Sequence, residues 1–184
     1  MPTLLAISGS LRAASSNAAV VAAVRALAPP GLEVVVYEGL GHLPHFNPDL
    51  DTETPPAAVL ELRRLVGEAD ALLISSPEYA HGIPGVMKNA LDWLVASLEF
   101  PGKPVGLVNA SAGSTHAQAA LEEVLRTMSA ELVADACATL PWTGAKPDLA
   151  RMVEHPELSA ILRGVLAPLA ARARTASADE GTSN

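Results

Sequence analysis

Ile7-Ser8-Gly9-Ser10-Leu11-Arg12-Ala13-Ala14-Ser15-Ser16-Asn17 decides how this chain reads. It follows the short apolar run Leu4–Ile7 and precedes an Ala- and Val-rich segment, so it is the turn between a first strand and a first helix. Small residues, hydroxyls, one amide and one arginine share that turn. Backbone N–H groups at a helix start point at an anion, and the helix dipole favours negative charge there. Arg12 adds a charge-assisted hydrogen bond of about 1.5–3 kcal/mol. Ser10, Ser15 and Asn17 can donate the rest. A bound phosphate is the favoured reading. The alternative is a plain helix cap from Ser16 or Asn17, which needs one such residue and no arginine. No Gly-Lys-Ser/Thr follows, and the glycine spacing of the dinucleotide fingerprint is absent, so triphosphate hydrolysis and an ordinary NAD site lose support.

Outward from this turn, apolar runs alternate with helical patterns. Strands are expected at Leu4–Ile7, Glu33–Tyr37, Ala71–Ser75, Val105–Asn109 and Leu132–Thr139. Helices are expected at Asn17–Leu27, Ala57–Glu68, Gly85–Leu98, Ala117–Glu131 and Pro156–Arg174, the last interrupted or kinked near Pro168. Gly39 to Pro56 reads as one long loop. Five strands joined by helices imply a parallel sheet covered on both faces. Ligands of such sheets sit outside the carboxyl ends of the strands, at the switch point. The turns Ser8–Asn17, Ser76–Pro84 and Ala110–His116 all fall on that edge.

The chain has 184 residues, 49% hydrophobic and 17% charged, which suits one domain with a substantial core. Net charge is −8 without a Lys/Arg cluster, which argues against nucleic acid as a partner. Cys137 is the sole cysteine, so an intramolecular disulfide is impossible; it reads as a small buried hydrophobe. No apolar run approaches membrane-spanning length, and Met1-Pro2-Thr3 leads straight into a strand, so a cytoplasmic location and no membrane partner are expected. Residues 1–175 form the expected domain, and the small, polar stretch 176–184 is an expected disordered tail.

Pro77 and Pro84 stiffen the second turn, while Gly82 and Gly85 allow close backbone approach. Tyr79 offers a ring to a flat partner, although a Pro/Gly turn with a surface tyrosine explains the stretch equally well. Asn109-Ala110-Ser111-Ala112-Gly113-Ser114-Thr115-His116 is a second small-residue turn; its plain alternative is a loop capping the next helix with Ser114 or Thr115. His42 and His45 read as exposed loop residues without the spacing of metal ligands. His81 and His116 sit at the edge of the site, and His155 at a helix start needs no function. No Gly-x-Ser-x-Gly nucleophile elbow occurs.

These residues together resemble the NADPH-dependent FMN reductase family, over roughly residues 3 to 170. The resemblance rests on Gly9-Ser10-Leu11-Arg12 with Ser15 and Asn17, and on Ser76-Pro77-Glu78-Tyr79 with Ile83-Pro84-Gly85-Val86. Lys88-Asn89-Ala90-Leu91-Asp92-Trp93 and Leu43-Pro44 with Asn47-Pro48-Asp49-Leu50 extend it. Ala80 stands where the family often has asparagine, Gly82 where serine is frequent, and Ser114-Thr115-His116 replaces a glycine-rich stretch.

The resemblance implies a flavodoxin-like three-layer α/β sandwich with a five-stranded parallel sheet of order 2-1-3-4-5. It implies bound FMN, with NADPH or NADH as co-substrate, and no metal. Hydride would pass to the flavin and then to a small acceptor such as a flavin, quinone, chromate or azo compound, in a ping-pong cycle. The flavin carries the chemistry, so no protein group is assigned a catalytic role. Ser10, Arg12, Ser15, Ser16 and Asn17 would hold the phosphate. Pro77, Glu78, Tyr79, Ala80, His81 and Gly82 would contact the ring, with Ser111 and Gly113 on its other side. Glu78 could instead be a structural acid at the start of a helix. A homodimer or homotetramer is implied, with Trp93, Leu94, Val95 and Leu98 as interface candidates. The alternatives are a flavodoxin-type FMN electron carrier without NAD(P)H turnover and a flavin-free binding domain.

Overall fold

Side-chain alternation builds the sheet. The first strand, β1 (Thr3–Ser8), sends Leu4 and Ala6 into one apolar cluster and Leu5 and Ile7 into another. β3 (Ala71–Ser75) is buried at every position, as a strand covered on both faces must be. With β2 (Glu33–Tyr37), β4 (Pro104–Asn109) and β5 (Glu131–Thr139) they form one sheet of order β2-β1-β3-β4-β5, parallel throughout. Parallel neighbours need long crossovers, and the helices α1 (Ser16–Ala26), α2 (Ala57–Glu68), α3 (Gly85–Leu94) and α4 (Thr115–Thr127) supply them. α5 (Leu149–Glu154) and α6 (Pro156–Gly181) follow β5. Residues of α1, α5 and α6 cover the face carrying Leu4 and Ala6, and those of α2, α3 and α4 cover the other. This is the flavodoxin-like sandwich expected from the sequence. The computed structural model describes residues 1–142 and 147–181, with side chains through Thr175.

Several boundaries differ from the sequence reading, each for a local reason. α4 stops at Thr127 rather than Glu131, because Ser129 takes a φ of +64°. There Ser129 N–H donates to the Arg126 carbonyl and Ala130 N–H to the Leu125 carbonyl, the bond pair of a Schellman ending. α3 stops at Leu94 rather than Leu98. Arg63 donates from both Nε and a terminal nitrogen to the Trp93 carbonyl, and Ser97 N–H turns to the Leu94 carbonyl instead. The short α5 escaped the sequence reading; Asp148 caps it by accepting from Arg151 N–H. α6 runs through Pro168 without interruption. Its backbone stays helical to Gly181, past the expected tail boundary at Ala176; Ala176 and Ala178 favour extending an already formed helix. Residues 182–184 of the expected tail lie outside the described residues.

Of the four interface candidates, Trp93 and Leu94 belong to the core, at 0% and 2% exposure. Val95 and Leu98 are exposed at 65% and 92%. Trp93 instead anchors the long loop. Its Nε1 donates to the Pro44 carbonyl at 2.8 Å, and its ring meets Phe46 edge-on at 5.0 Å. Asn89 donates to that carbonyl at 2.9 Å and accepts from Phe46 N–H at 2.7 Å. Within the loop, Gly39–His42 and Pro48–Leu50 form short 3₁₀ turns.

Candidate functional site

The strand order reverses between β1 and β3, so a crevice opens at their carboxyl ends. Ser8 and Ser75 stand opposite each other there, and Gly9 N–H donates to the Ser75 carbonyl at 2.8 Å. Gly9 has to be glycine: a Cβ at this position would lie 2.3 Å from Ser76 Oγ. The chain then turns, with Ser10 Oγ accepting from Arg12 N–H at 3.3 Å. Ser15 caps α1, its hydroxyl oxygen accepting from Asn17 N–H and Ala18 N–H. The cap is thus Ser15, not Ser16 or Asn17. Asn17 is buried and its Oδ1 accepts from Ser75 Oγ at 2.9 Å, which leaves the amide nitrogen as the donor it can offer a ligand.

The second loop is a tight hairpin. Tyr79 and Gly82 exchange both backbone hydrogen bonds, at 3.1 and 3.0 Å. Ala80 and His81 between them have φ of +50° and +59°, the pattern of a type I′ turn. Glycine and asparagine normally fill both positions, so this turn is held under strain. Glu78 reaches across to the next loop, where its Oε2 accepts from Ala117 N–H at 2.9 Å in the first turn of α4. Ser114 precedes α4 without a side-chain cap of its own, so Glu78 takes over that task. The Ala117 bond holds the Glu78 carboxyl below its ordinary range, opposed by partial burial; His116 N–H and the charges of His116 and His81 add to the lowering. In the third loop Asn109 is buried, accepts from Ser111 N–H at 3.1 Å and donates to the Ser114 carbonyl at 2.9 Å.

One cleft of about 150 Å³ gathers the three loops. Ser10, Arg12, Ser15, Ser16 and Asn17 line it from the first, Pro77, Glu78 and Tyr79 from the second and Ser111 from the third. Ala80, His81, Gly82 and Gly113 do not line it: the hairpin tip and the exposed Gly113 stay at its rim. The cleft also includes Ser76, Asn109, Ala110 and Ser114, which the sequence reading placed in the second and third turns without assigning them to the site. Ser76 Oγ is buried and lacks a hydrogen-bond partner among the described residues. A polar atom in that state needs a partner from outside the described residues. An arginine, an α-helix N-terminus, several hydroxyls, a proline and a half-exposed tyrosine in one cleft fit a phosphate joined to a flat ring system.

Other candidates fall away. His42 and His45 are exposed, as expected. Burial pushes the Cys137 thiol up, which suits an inert side chain rather than a nucleophile. Among the described residues no helix is long and apolar enough to cross a membrane.

Known proteins resemble this chain in sequence and in fold. An NAD(P)H-dependent FMN reductase of Pseudomonas aeruginosa is 41% identical over 112 residues, 60% of each chain. A quinone reductase of Pseudomonas putida is 38% identical over 111 residues, 58% of each. The matched stretches span about 60% of these relatives' own length. The flavoenzyme NAD(P)H:(acceptor) oxidoreductase FerB of Paracoccus denitrificans superposes with a TM-score of 0.71 at 26% identity, covering 96% of this chain and 98% of that one. The model of the NADPH-dependent FMN reductase family matches residues 2–141, and the chain belongs to that family.

Proposed function

We propose that this protein is an FMN-dependent NAD(P)H oxidoreductase that reduces a small organic acceptor of the quinone class. The observation that carries this reading is the single cleft where an arginine, a helix N-terminus and an unpartnered buried hydroxyl meet a half-exposed tyrosine. The names of the relatives support it.

Arg12 and the first turn of α1 would bind the phosphate, with Ser10, Ser15 and Ser16 hydroxyls and the Asn17 amide as donors. Ser15 Oγ accepts two backbone N–H groups, so its own proton is left for the ligand. Pro77, Tyr79 and Ser111 would flank the ring, and Ser76 Oγ would gain a partner. When bound, FMN would supply the redox chemistry, hydride transfer from NAD(P)H and reduction of an acceptor in ping-pong order, while these residues would hold and orient it. Glu78 is committed to α4, so it orients the loops rather than acting as a base. Copies of the chain would associate over Val95 and Leu98, and the protein would work in the cytoplasm.

The test is an absorption spectrum after FMN addition and desalting, followed by anaerobic NADPH. A retained flavin band that NADPH bleaches is expected. Retained flavin that stays oxidised would replace this reading with an electron carrier, and no retained flavin would overturn it.

A further inference from the structure

Reduction of a quinone changes two C=O groups into two C–O–H groups. NAD(P)H supplies two electrons and one proton as hydride, so a second proton has to reach an acceptor oxygen. Of the ionisable residues that line the cleft, Glu78 is committed to the Ala117 N–H with its carboxyl held low, Arg12 does not give up its proton, and Tyr79 offers a phenol rather than an imidazole.

The rim offers imidazoles. His81 and His116 come from different loops, yet their ring centroids lie 4.5 Å apart. Both are exposed, so core packing does not explain the contact. His81 reaches it from a backbone φ of +59°, in the left-handed region. Among the described residues no hydrogen bond engages either imidazole. Glu78 lies close enough for both rings to act on its charge. Glu78, Tyr79 and Arg12 are the ionisable groups that line the cleft, and α4 adds no acidic residue in its first turn.

We propose that His81 and His116 are the proton donor for the acceptor, a pair of imidazoles beside the cleft that passes a proton to an oxygen of a quinone. This rests on the reductase reading. The Glu78 carboxylate lies within electrostatic reach of both rings. In the transfer an imidazolium N–H bond breaks and a quinone O–H bond forms. The exposed ring regains its proton from water. Imidazole is the side chain suited to this exchange near neutral pH.

The test compares an acceptor that consumes protons with one that does not. FMN-loaded wild type, His116→Asn and His81→Asn are assayed with benzoquinone and with ferricyanide from pH 5.5 to 8.5; asparagine tolerates the left-handed turn at position 81. Loss of a general acid costs about 10²–10⁴-fold, so the benzoquinone-to-ferricyanide rate ratio should fall at least ten-fold in each variant. Added imidazole should restore part of it for His116→Asn. An unchanged ratio overturns the proposal. A wild type that binds FMN but reduces neither acceptor with NAD(P)H overturns the reductase reading beneath it.

Discussion

Replacing Asn89 and Trp93 singly and together measures how the Lys88–Trp93 segment holds the long loop. Both side chains donate to one acceptor, the Pro44 carbonyl. Asn89→Ala removes one of those bonds, worth about 0.5–1.5 kcal/mol, and strands Phe46 N–H, a part-buried donor costing about 1–3 kcal/mol. A loss of about 2–3 kcal/mol is expected, which lowers Tm by about 5–10 °C in a domain of this size. Trp93→Phe removes the other bond and leaves a space in the core. After either change alone the Pro44 carbonyl keeps one donor. The double variant leaves it with none, so it should cost about 1 kcal/mol more than the sum of the singles. Urea unfolding of the four proteins reads this directly. Additivity within about 0.5 kcal/mol would refute the shared-acceptor account. The effect should reach the cleft as well: the loop lies against Leu11, whose side chain is 3.3 Å from where a Cβ on Gly41 would stand. Asn89→Ala should therefore also loosen FMN.

Arg12→Ala should weaken FMN binding by about 1.5–3 kcal/mol while leaving unfolding unchanged; flavin fluorescence titration with equal affinities would remove Arg12 from the phosphate site. Ala80→Asn should raise stability by about 0.5–1 kcal/mol, because asparagine tolerates the φ of +50° better than alanine, and an unchanged denaturation midpoint would count against strain in the hairpin. Glu78 has its carboxyl held low in the fold, so its stabilising contribution is present above the ordinary carboxylate range and is lost as pH falls through the lowered value. Wild type should thus exceed Glu78→Gln in stability at pH 7 and converge with it in acid; a gap that stays constant with pH would show that the charge is not what matters.

The sheet was legible in the sequence because burial on both faces leaves a strong mark. Val34-Val35-Val36 and Leu72-Leu73-Ile74 are continuous apolar runs, and Glu33–Tyr37 and Ala71–Ser75 fall where their composition places them. Helix ends were less legible, since distant partners set them. Nothing in the spacing of Gly85–Leu98 announces that Arg63 takes the Trp93 carbonyl. Nor does the apolar stripe of α4 reveal that Ser129 adopts a left-handed φ. Trp93 read as either a packing or a subunit-interface residue; helical periodicity alone does not show that its indole crosses to Pro44.

The three loops were found from composition, but their division of labour was not. Ser15, Asn17, Glu78 and Asn109 each commit atoms to the scaffold: a cap, a bond to β3, a brace on α4 and a clamp on its own loop. A sequence shows only that a polar group is present, and polar groups near a binding edge all look like ligand contacts. The structure separates them by what each has left to offer. Asn17 retains its amide nitrogen, Ser15 its proton, and Ser76 a whole hydroxyl that no neighbour engages among the described residues. The committed groups fix the cleft before anything binds, so little ordering cost remains for the ligand. The uncommitted ones set what it can hold. On this division Ser76, quoted in the second motif but not assigned to the site, should matter more to flavin affinity than Glu78, for which the sequence reading offered both a ring contact and a structural role at a helix start.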